Sequence, residues 1–159
     1  YLTQKFGSPE RYSGIATRVA ATAAQDGLVY DKDHISRQPN TIDAHRLIRW
    51  AEAKGLAPQM KQRLMDMYFT EGADLTDREV LVKAAADVGL DAATVRTDLA
   101  TDKDEAEIEQ DVEQAKAAGI QGVPFYILAG KYGISGAQDP ATLAQAIRQV
   151  AEEQNAAAQ

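Results

Sequence analysis

The sequence predicts an α/β fold in which helices fill the first two thirds of the chain and a small sheet follows. Apolar residues recur at helical spacing in the segments between Pro9 and Gly119. After Gly119 the pattern changes to two short runs, 125–128 and 132–135, which contain aromatic and β-branched residues and are joined by a glycine turn at Gly130-Lys131. Another helix is predicted after the second run.

The composition is that of a globular protein without cysteine. Hydrophobic residues make up 45% and charged residues 26% of the 159 residues, which argues against wholesale disorder. The net charge of -7 disfavours nucleic acid or an anionic membrane as the main partner, because both require clustered Lys and Arg. The absence of Cys excludes disulfides, thiolate chemistry and Cys-based metal sites within this chain.

The first two predicted helices flank an extended connection. Ser8-Pro9-Glu10 predicts a helix start with proline at the first helical position, and Asp26-Gly27 predicts its end. Residues 28–39 have mixed polarity and are predicted to form the connection. Asn40 is predicted to cap the second helix, with Asp43 at its third helical position. The apolar stripe of this helix comprises Ile42, Leu47, Ile48 and Ala51.

Three further helices are predicted before residue 100. Pro58 opens the first of them. The segment Thr76-Asp77-Arg78-Glu79 fits a capping box for the second, and Gly89 follows its last periodic residue. Residues 91–99 are predicted to form the third, which is short.

An acidic segment and a final helix complete the prediction. Residues 98–113 hold eight acids and one Lys, while apolar residues still recur at helical spacing. This pattern is typical of a helix with one solvated face, and a docking patch for a basic partner is the alternative. Gly119 is predicted to end this helix, and Asp139-Pro140 to start the last one.

The two predicted strands do not make a complete sheet. The first strand, 125–128, is apolar on both faces, which is typical of a central strand with neighbours on both edges. The second strand supplies one neighbour, and an isolated two-stranded hairpin is marginal in water. The chain also begins at Tyr1 rather than Met. We therefore expect the missing strands to be encoded upstream of Tyr1, with strands of another chain as the alternative.

Gly122-Val123-Pro124 precedes the apolar strand and is the most informative segment for function. Proline is rare inside a central strand because it donates no ladder hydrogen bond. One solution is a cis Val123–Pro124 bond, which turns the chain and leaves the N–H and C=O of Val123 pointing outward. The alternative is a trans proline that opens the strand. Because only about 5–6% of X–Pro bonds are cis, the proline alone favours the trans form.

Five segments in the same order resemble the branch of the DsbA family that contains FrnE-like proteins and 2-hydroxychromene-2-carboxylate isomerases. FrnE-like proteins are the nearest in pattern, because the isomerases and kappa-type glutathione transferases more often end the last strand with GSDR-like residues. The five segments are Asn40–Leu47 (NTIDAHRL), Tyr68–Gly72 (YFTEG), Leu81–Leu90, Gly122–Pro124 and Ile134–Gln138 (ISGAQ).

The resemblance implies a thioredoxin-like fold with an all-helical insertion domain, here lacking the N-terminal β-α-β unit of the family. The helical domain with its connection would span residues 1–101, the C-terminal α-β-β-α half residues 102–155, and a frayed tail residues 156–159. Relatives carry CxxC, or in some members Ser, in the β-α-β unit. We therefore expect the reactive residue upstream of Tyr1, no catalytic residue in this chain, and no thiol–disulfide activity.

The resemblance also implies which residues bind a substrate. The Val123–Pro124 bond is then expected to be cis, as in the cis-proline loop of the family. Val123 and Pro124 would pair with the backbone of an extended substrate beside the reactive sulfur, which holds a mixed disulfide in line for a second thiolate. Gly136, Ala137 and Gln138 follow the last strand, where relatives hold the γ-glutamyl end of glutathione. No cofactor is required by this interpretation, and glutathione is the candidate ligand.

The helical part contributes weaker candidates. Asn40 lies where relatives place a residue near the active-site cleft. His45 would suit an acid/base role, since its unperturbed pKa is about 6.5, and the alternative is a histidine hydrogen-bonded for packing. His34 has no companion at ligand spacing, so no metal is predicted. Three aromatic residues are predicted to belong to the core rather than to a cofactor site: Trp50, Tyr68 and Phe69.

Three functions remain open at this point. The first is a thiol–disulfide oxidoreductase of the DsbA/FrnE type, whose partner is a thiol or disulfide protein substrate. The second is a glutathione-dependent isomerase or transferase of the 2-hydroxychromene-2-carboxylate isomerase type. The third is a non-enzymatic binding module completed by strands of a partner, and a homodimer is compatible with any of them. Relatives suggest a cytoplasmic location, although an upstream export signal would change that.

Overall fold

The computed structural model describes residues 7–30, 33–35 and 37–157, and its contacts divide the chain into two compact units. The first unit comprises residues 1–109 and the second residues 110–159. Parts of the predicted connection (residues 31, 32 and 36) and of the predicted tail (residues 158 and 159) lie outside the described residues. No helix within the described ranges is both long and apolar enough to cross a membrane.

Helices build the first unit. They are α1 (Pro9–Gln25), α2 (Ile42–Glu52), α3 (Ala57–Met65), a π-helical turn (Asp66–Thr70), α4 (Arg78–Asp87) and α5 (Ala92–Leu99). Ser8 caps α1, since its Oγ accepts a hydrogen bond from the N–H of Arg11 at 3.2 Å. The carboxylates of Asp77 and Asp91 cap α4 and α5 in the same way. Side-chain caps therefore set the start of three of these helices.

The core of the first unit lies where α2, α3, α4 and α5 pack against one another. Leu47, Met60 and Leu99 are completely buried there. Burying a side chain of this size contributes about 1.5–3 kcal/mol. The stripe predicted for α2 is confirmed at Leu47 and Ala51, which are both 0% exposed.

The core also holds a charged side chain, that of Arg46 on α2, which is 0% exposed. Its Nε donates to the carbonyl of Lys103 at 2.7 Å, and its Nη2 donates to the carbonyls of Asp98 and Thr101 at 2.8 Å. Its Nη1 donates to the carboxylate of Asp43 at 2.7 Å. This guanidinium therefore fixes the turn that follows α5.

The second unit contains the end of a helix, a hairpin and a last helix. Helix α6 (Glu105–Ala117) crosses from the first unit into the second. Strand β1 (Phe125–Leu128) pairs antiparallel with β2 (Tyr132–Ser135), and α7 (Pro140–Ala157) follows. Within the described residues β2 is the sheet neighbour of β1, and no residue from 110 to 157 is fully buried. The apolar side chains of the hairpin thus remain accessible.

Two predicted helix starts lie at other residues. Helix α2 begins at Ile42, and Asn40 lies one position before the cap, although its Oδ1 accepts from the N–H of Ile42 at 3.2 Å. The capping box predicted to begin at Thr76 is wrong, because Asp77 caps α4. The hydroxyl of Thr76 instead donates to the carboxylate of Asp74 at 2.6 Å.

Two further predictions differ from the structure. Phe69 was predicted to be a core residue but is 38% exposed. The π-helical turn explains this difference, because Met67 and Tyr68 occupy the buried side of that turn. The tail predicted from residue 156 onward is still helical at residues 156 and 157, since α7 extends to Ala157.

We expect Arg46→Met to lower the free energy of unfolding by about 3–5 kcal/mol, because three carbonyls and a carboxylate lose their donor. Arg46→Lys keeps the charge but not the planar fork, so we expect a loss of about 2 kcal/mol. Arg78→Met is the control, since exposed Arg78 contacts the same Asp43 carboxylate at 3.4 Å and exposed pairs contribute at most about 1 kcal/mol. Urea denaturation measures each loss, and equal losses for the two Met variants would contradict the role of Arg46.

Candidate functional site

Val123 and Pro124 lie directly before β1 and form the most exposed apolar part of the hairpin unit. Val123 is 90% exposed, and the Val123–Pro124 peptide bond is cis. Among the described residues, no hydrogen bond engages the backbone N–H or C=O of Val123. One donor and one acceptor are therefore free to pair with an extended backbone. We call this pair of residues the shelf.

Gly136 lies beside the shelf at the other end of the hairpin. Its N–H donates to the carbonyl of Pro124 at 2.9 Å, and its φ of 84° lies in the left-handed region that favours glycine. The Nε2 of Gln138 donates to the carbonyl of Ser135 at 2.9 Å, while Ala137 is exposed. The structure thus brings Gly136 next to Pro124, with the amide of Gly136 already engaged.

One bond at the N-terminus of α7 supports its start, and another links α7 to the hairpin. The Oδ1 of Asp139 accepts from the N–H of Ala141 at 2.8 Å and so supports the start of the helix. Further along α7, the Tyr132 hydroxyl donates to the carboxylate of Glu153. This bond, assisted by the side chain of Gln149, lowers the pKa of Glu153. The contact with Tyr132 therefore favours the ionised form of Glu153.

Asn40 lies on the exposed surface of the first unit. The chain before it is tied to the π-helical turn, because the Tyr68 hydroxyl donates to the carbonyl of Arg37 at 3.2 Å. Burial raises the pKa of Tyr68 to about 12, so this hydroxyl stays protonated. Asn40 also borders a cavity of about 460 Å³, together with Gln38, Pro39 and Thr41.

The two histidines occupy different surroundings. His45 is exposed on α2, and no hydrogen bond to its side chain is present within the described part of the chain. The structure therefore shows neither an acid/base partner for His45 nor a packing hydrogen bond. His34 packs closely on Gly72, where an added Cβ would lie 2.8 Å from the Cβ of His34. Gly72 also has a φ of 66°, so glycine suits this position for two reasons.

Sequence reasoning missed Arg46, which is the neighbour of the candidate His45. The Arg46 guanidinium carbon lies 5.1 Å from the centre of the Trp50 ring, and the Trp50 Nε1 donates to the carboxylate of Asp104 at 2.7 Å. Trp50 packs against the core, as predicted. Asp43 lies three residues before Arg46, and Trp50 lies four residues after it, so the three side chains share one helix face. This spacing is the sequence signal that could have indicated a paired charge at Arg46.

Comparison with known proteins identifies the family. Residues 2–148 match the model of the DSBA-like thioredoxin domain. This chain belongs to the DsbA-like thioredoxin family. The crystal structure of a probable DsbA oxidoreductase from Streptomyces coelicolor is similar, with a TM-score of 0.82 and 34% sequence identity. The similarity covers 96% of this chain and 66% of that chain. Among curated proteins, the comparison finds no match.

The family match confirms the predicted fold class, a thioredoxin-like fold with a helical insertion. The DsbA-like chain is rich in helix and has a two-stranded sheet within the described residues. The comparisons do not test the roles assigned to the shelf, to Gly136, Ala137 and Gln138, or to Asn40 and His45, and these roles stay predictions.

Tyr132→Phe should raise the pKa of Glu153 toward its ordinary value of 4.5, because the phenol no longer donates to the carboxylate. Since the folded pKa is lowered, the contact is fully present above the ordinary pKa and is lost as the pH falls through the lowered value. A carbon-13 NMR titration of the Glu153 carboxyl measures the change. Tyr126→Phe, which alters an exposed ring on β1, should leave that pKa unchanged, and an unshifted Glu153 in Tyr132→Phe would refute the assignment.

Proposed function

We propose that this chain is the substrate-presenting part of a thiol–disulfide oxidoreductase of the DsbA/FrnE type. A cysteine pair outside these 159 residues carries the redox step, and the chain alone, which contains no Cys, is redox-inactive. The observation that carries the proposal is the shelf, where Val123 is 90% exposed and its backbone groups are free. Its position within a DsbA-like thioredoxin domain supports the same interpretation.

Disulfide exchange explains why such a shelf is useful. A thiolate attacks one sulfur of a disulfide, a mixed disulfide forms, and a second thiolate then attacks the mixed disulfide and releases the product. The partner chain must stay in place between the two attacks. The N–H and C=O of Val123 can pair with any extended backbone, which provides affinity without selecting the side chains of the substrate.

The open hairpin supports the view that further strands accompany this chain in the active protein. Tyr126 and Ile127 of β1 are 37% and 61% exposed, and Ile147 of α7 is 54% exposed. Exposed apolar strand edges are normally paired or covered, because they otherwise template aggregation. Strands that complete a thioredoxin sheet would pair with the free edge of β1, and the helix between them would cover apolar side chains of the hairpin.

The alternative is a glutathione-dependent isomerase or transferase of the 2-hydroxychromene-2-carboxylate isomerase type. In this structure the Gly136 amide already donates to Pro124, and the Gln138 side chain already donates to Ser135. Both groups would have to be released before they could bind the γ-glutamyl end of glutathione. We therefore favour the oxidoreductase.

Insulin reduction by dithiothreitol, followed by turbidity, tests the proposal. The 159-residue chain should add nothing to the rate with dithiothreitol alone, and the protein that carries this chain together with a CxxC segment should accelerate it. In that protein we expect Val123→Lys to lower the rate about tenfold, corresponding to about 1.4 kcal/mol, because the long cation obstructs backbone pairing. Exposure of Val123 predicts an unchanged melting temperature for this variant.

Gln145→Lys is the matched control, since it places the same cation on an exposed polar position of α7. It should keep the rate of the parent protein. Equal rates for the two Lys variants would remove the role of the shelf. A parent with an intact CxxC and no reductase activity would exclude the oxidoreductase itself.

A further inference from the structure

An apolar groove lies in the first unit, whereas the shelf belongs to the second unit. It has a volume of about 390 Å³ and is bordered by α1, by residues 28–30, by the end of α3 and by the π-helical turn. Leu28 and Val29 are each 63% exposed, and Val19 and Met65 are 53% and 44% exposed. A cluster of large, exposed apolar side chains in one hollow is typical of a binding site.

Contacts between its walls hold the groove in shape. The rings of Tyr30 and Phe69 meet edge to face, with centroids 5.5 Å apart. The hydroxyl of Thr70 donates to the carbonyl of Val29 at 3.3 Å and ties residues 28–30 to the π-helical turn. Burial raises the pKa of Tyr30, so its hydroxyl is neutral at physiological pH. The groove therefore has an aromatic wall before any ligand binds.

One acid lies in this apolar surface. Among the described residues that line the groove, Asp66 is the only one with a charged side chain. Its Oδ1 accepts from the Nε2 of Gln62 at 2.8 Å, and its Oδ2 has no hydrogen-bond partner within the described residues. Asp66 is half-buried. One carboxylate oxygen is thus available to a ligand.

We propose that this groove binds a small organic cation in which an ammonium group is joined to an aromatic or branched aliphatic body. The body fills the apolar walls, and the ammonium donates to the Oδ2 of Asp66. The faces of the Tyr30 and Phe69 rings also attract a cation. The volume of about 390 Å³ falls within the range of about 300–1,000 Å³ for small-molecule sites. An anion with the same body is repelled by Asp66 and by the net charge of -7.

Three ligands with one body and different charges test the proposal on the 159-residue chain. Phenylbutylamine, phenylbutanol and phenylbutyrate are titrated into isotopically labelled protein, and amide chemical shifts are followed by NMR. We expect a Kd of about 1 mM for the amine, as suits a fragment of this size. The alcohol should bind about fivefold more weakly, since it lacks the charge pair, and the acid more weakly still. The largest shifts should fall at Val29 and Thr70.

Asp66→Asn keeps an acceptor for Gln62 and removes the charge, so the amine and the alcohol should then bind with equal Kd. Asp102→Asn is the matched control, because it makes the same change at an exposed residue outside the groove, and it should keep the fivefold preference. Equal binding of amine and alcohol to the unaltered chain would overturn the proposal, whatever the variants do. Shifts confined to residues outside the groove would overturn it as well.

Discussion

The end of the first unit depends on the buried guanidinium of Arg46. Removing such a group from water costs several kcal/mol, and only complete hydrogen bonding offsets that cost. Here Asp43 and three backbone carbonyls accept from it. Two of these carbonyls, those of Thr101 and Lys103, belong to the turn after α5, whose residues 100–104 have no buried side chain. Asp104 in this turn has a φ of 60°, which is costly for a residue other than glycine. Because the Asp104 carbonyl accepts from the N–H of Ile108, this turn also sets the start of α6.

Burial is divided unequally between the two units. The first unit buries a continuous apolar cluster, whereas no described residue of the second unit is fully buried. A two-stranded hairpin gains little stability from its own backbone pairing. The incomplete sheet has two consequences. The exposure that weakens the hairpin also leaves the N–H and C=O of Val123 able to bind another strand.

The sequence predicted the features that arise from local hydrogen bonding. The predicted start at Ser8-Pro9 is fixed by the bond from the Arg11 amide to Ser8, and the predicted start at Asp139-Pro140 by the bond from the Ala141 amide to Asp139. The role of Arg46 could not be predicted in this way, since its Nη2 bonds carbonyls 52 and 55 residues further along the chain. The sequence motif indicates the neighbouring His45 instead. Successive helical residues point about 100° apart, so His45 faces solvent while Arg46 faces the core.

The π-helical turn explains both why the predicted burial of Phe69 is wrong and how the groove is lined. The carbonyl of Asp66 accepts from the N–H of Glu71, five residues on, so this turn contains one residue more than an α-helical turn. Met67 and Tyr68 cover the core, while Asp66 and Phe69 line the groove. Regular helical periodicity does not anticipate such an insertion, and π-helical turns are frequent at functional sites. The extra residue places the Asp66 carboxylate and the Phe69 ring on the same wall of the groove. This combination distinguishes a site for a cation from a gap left by imperfect packing.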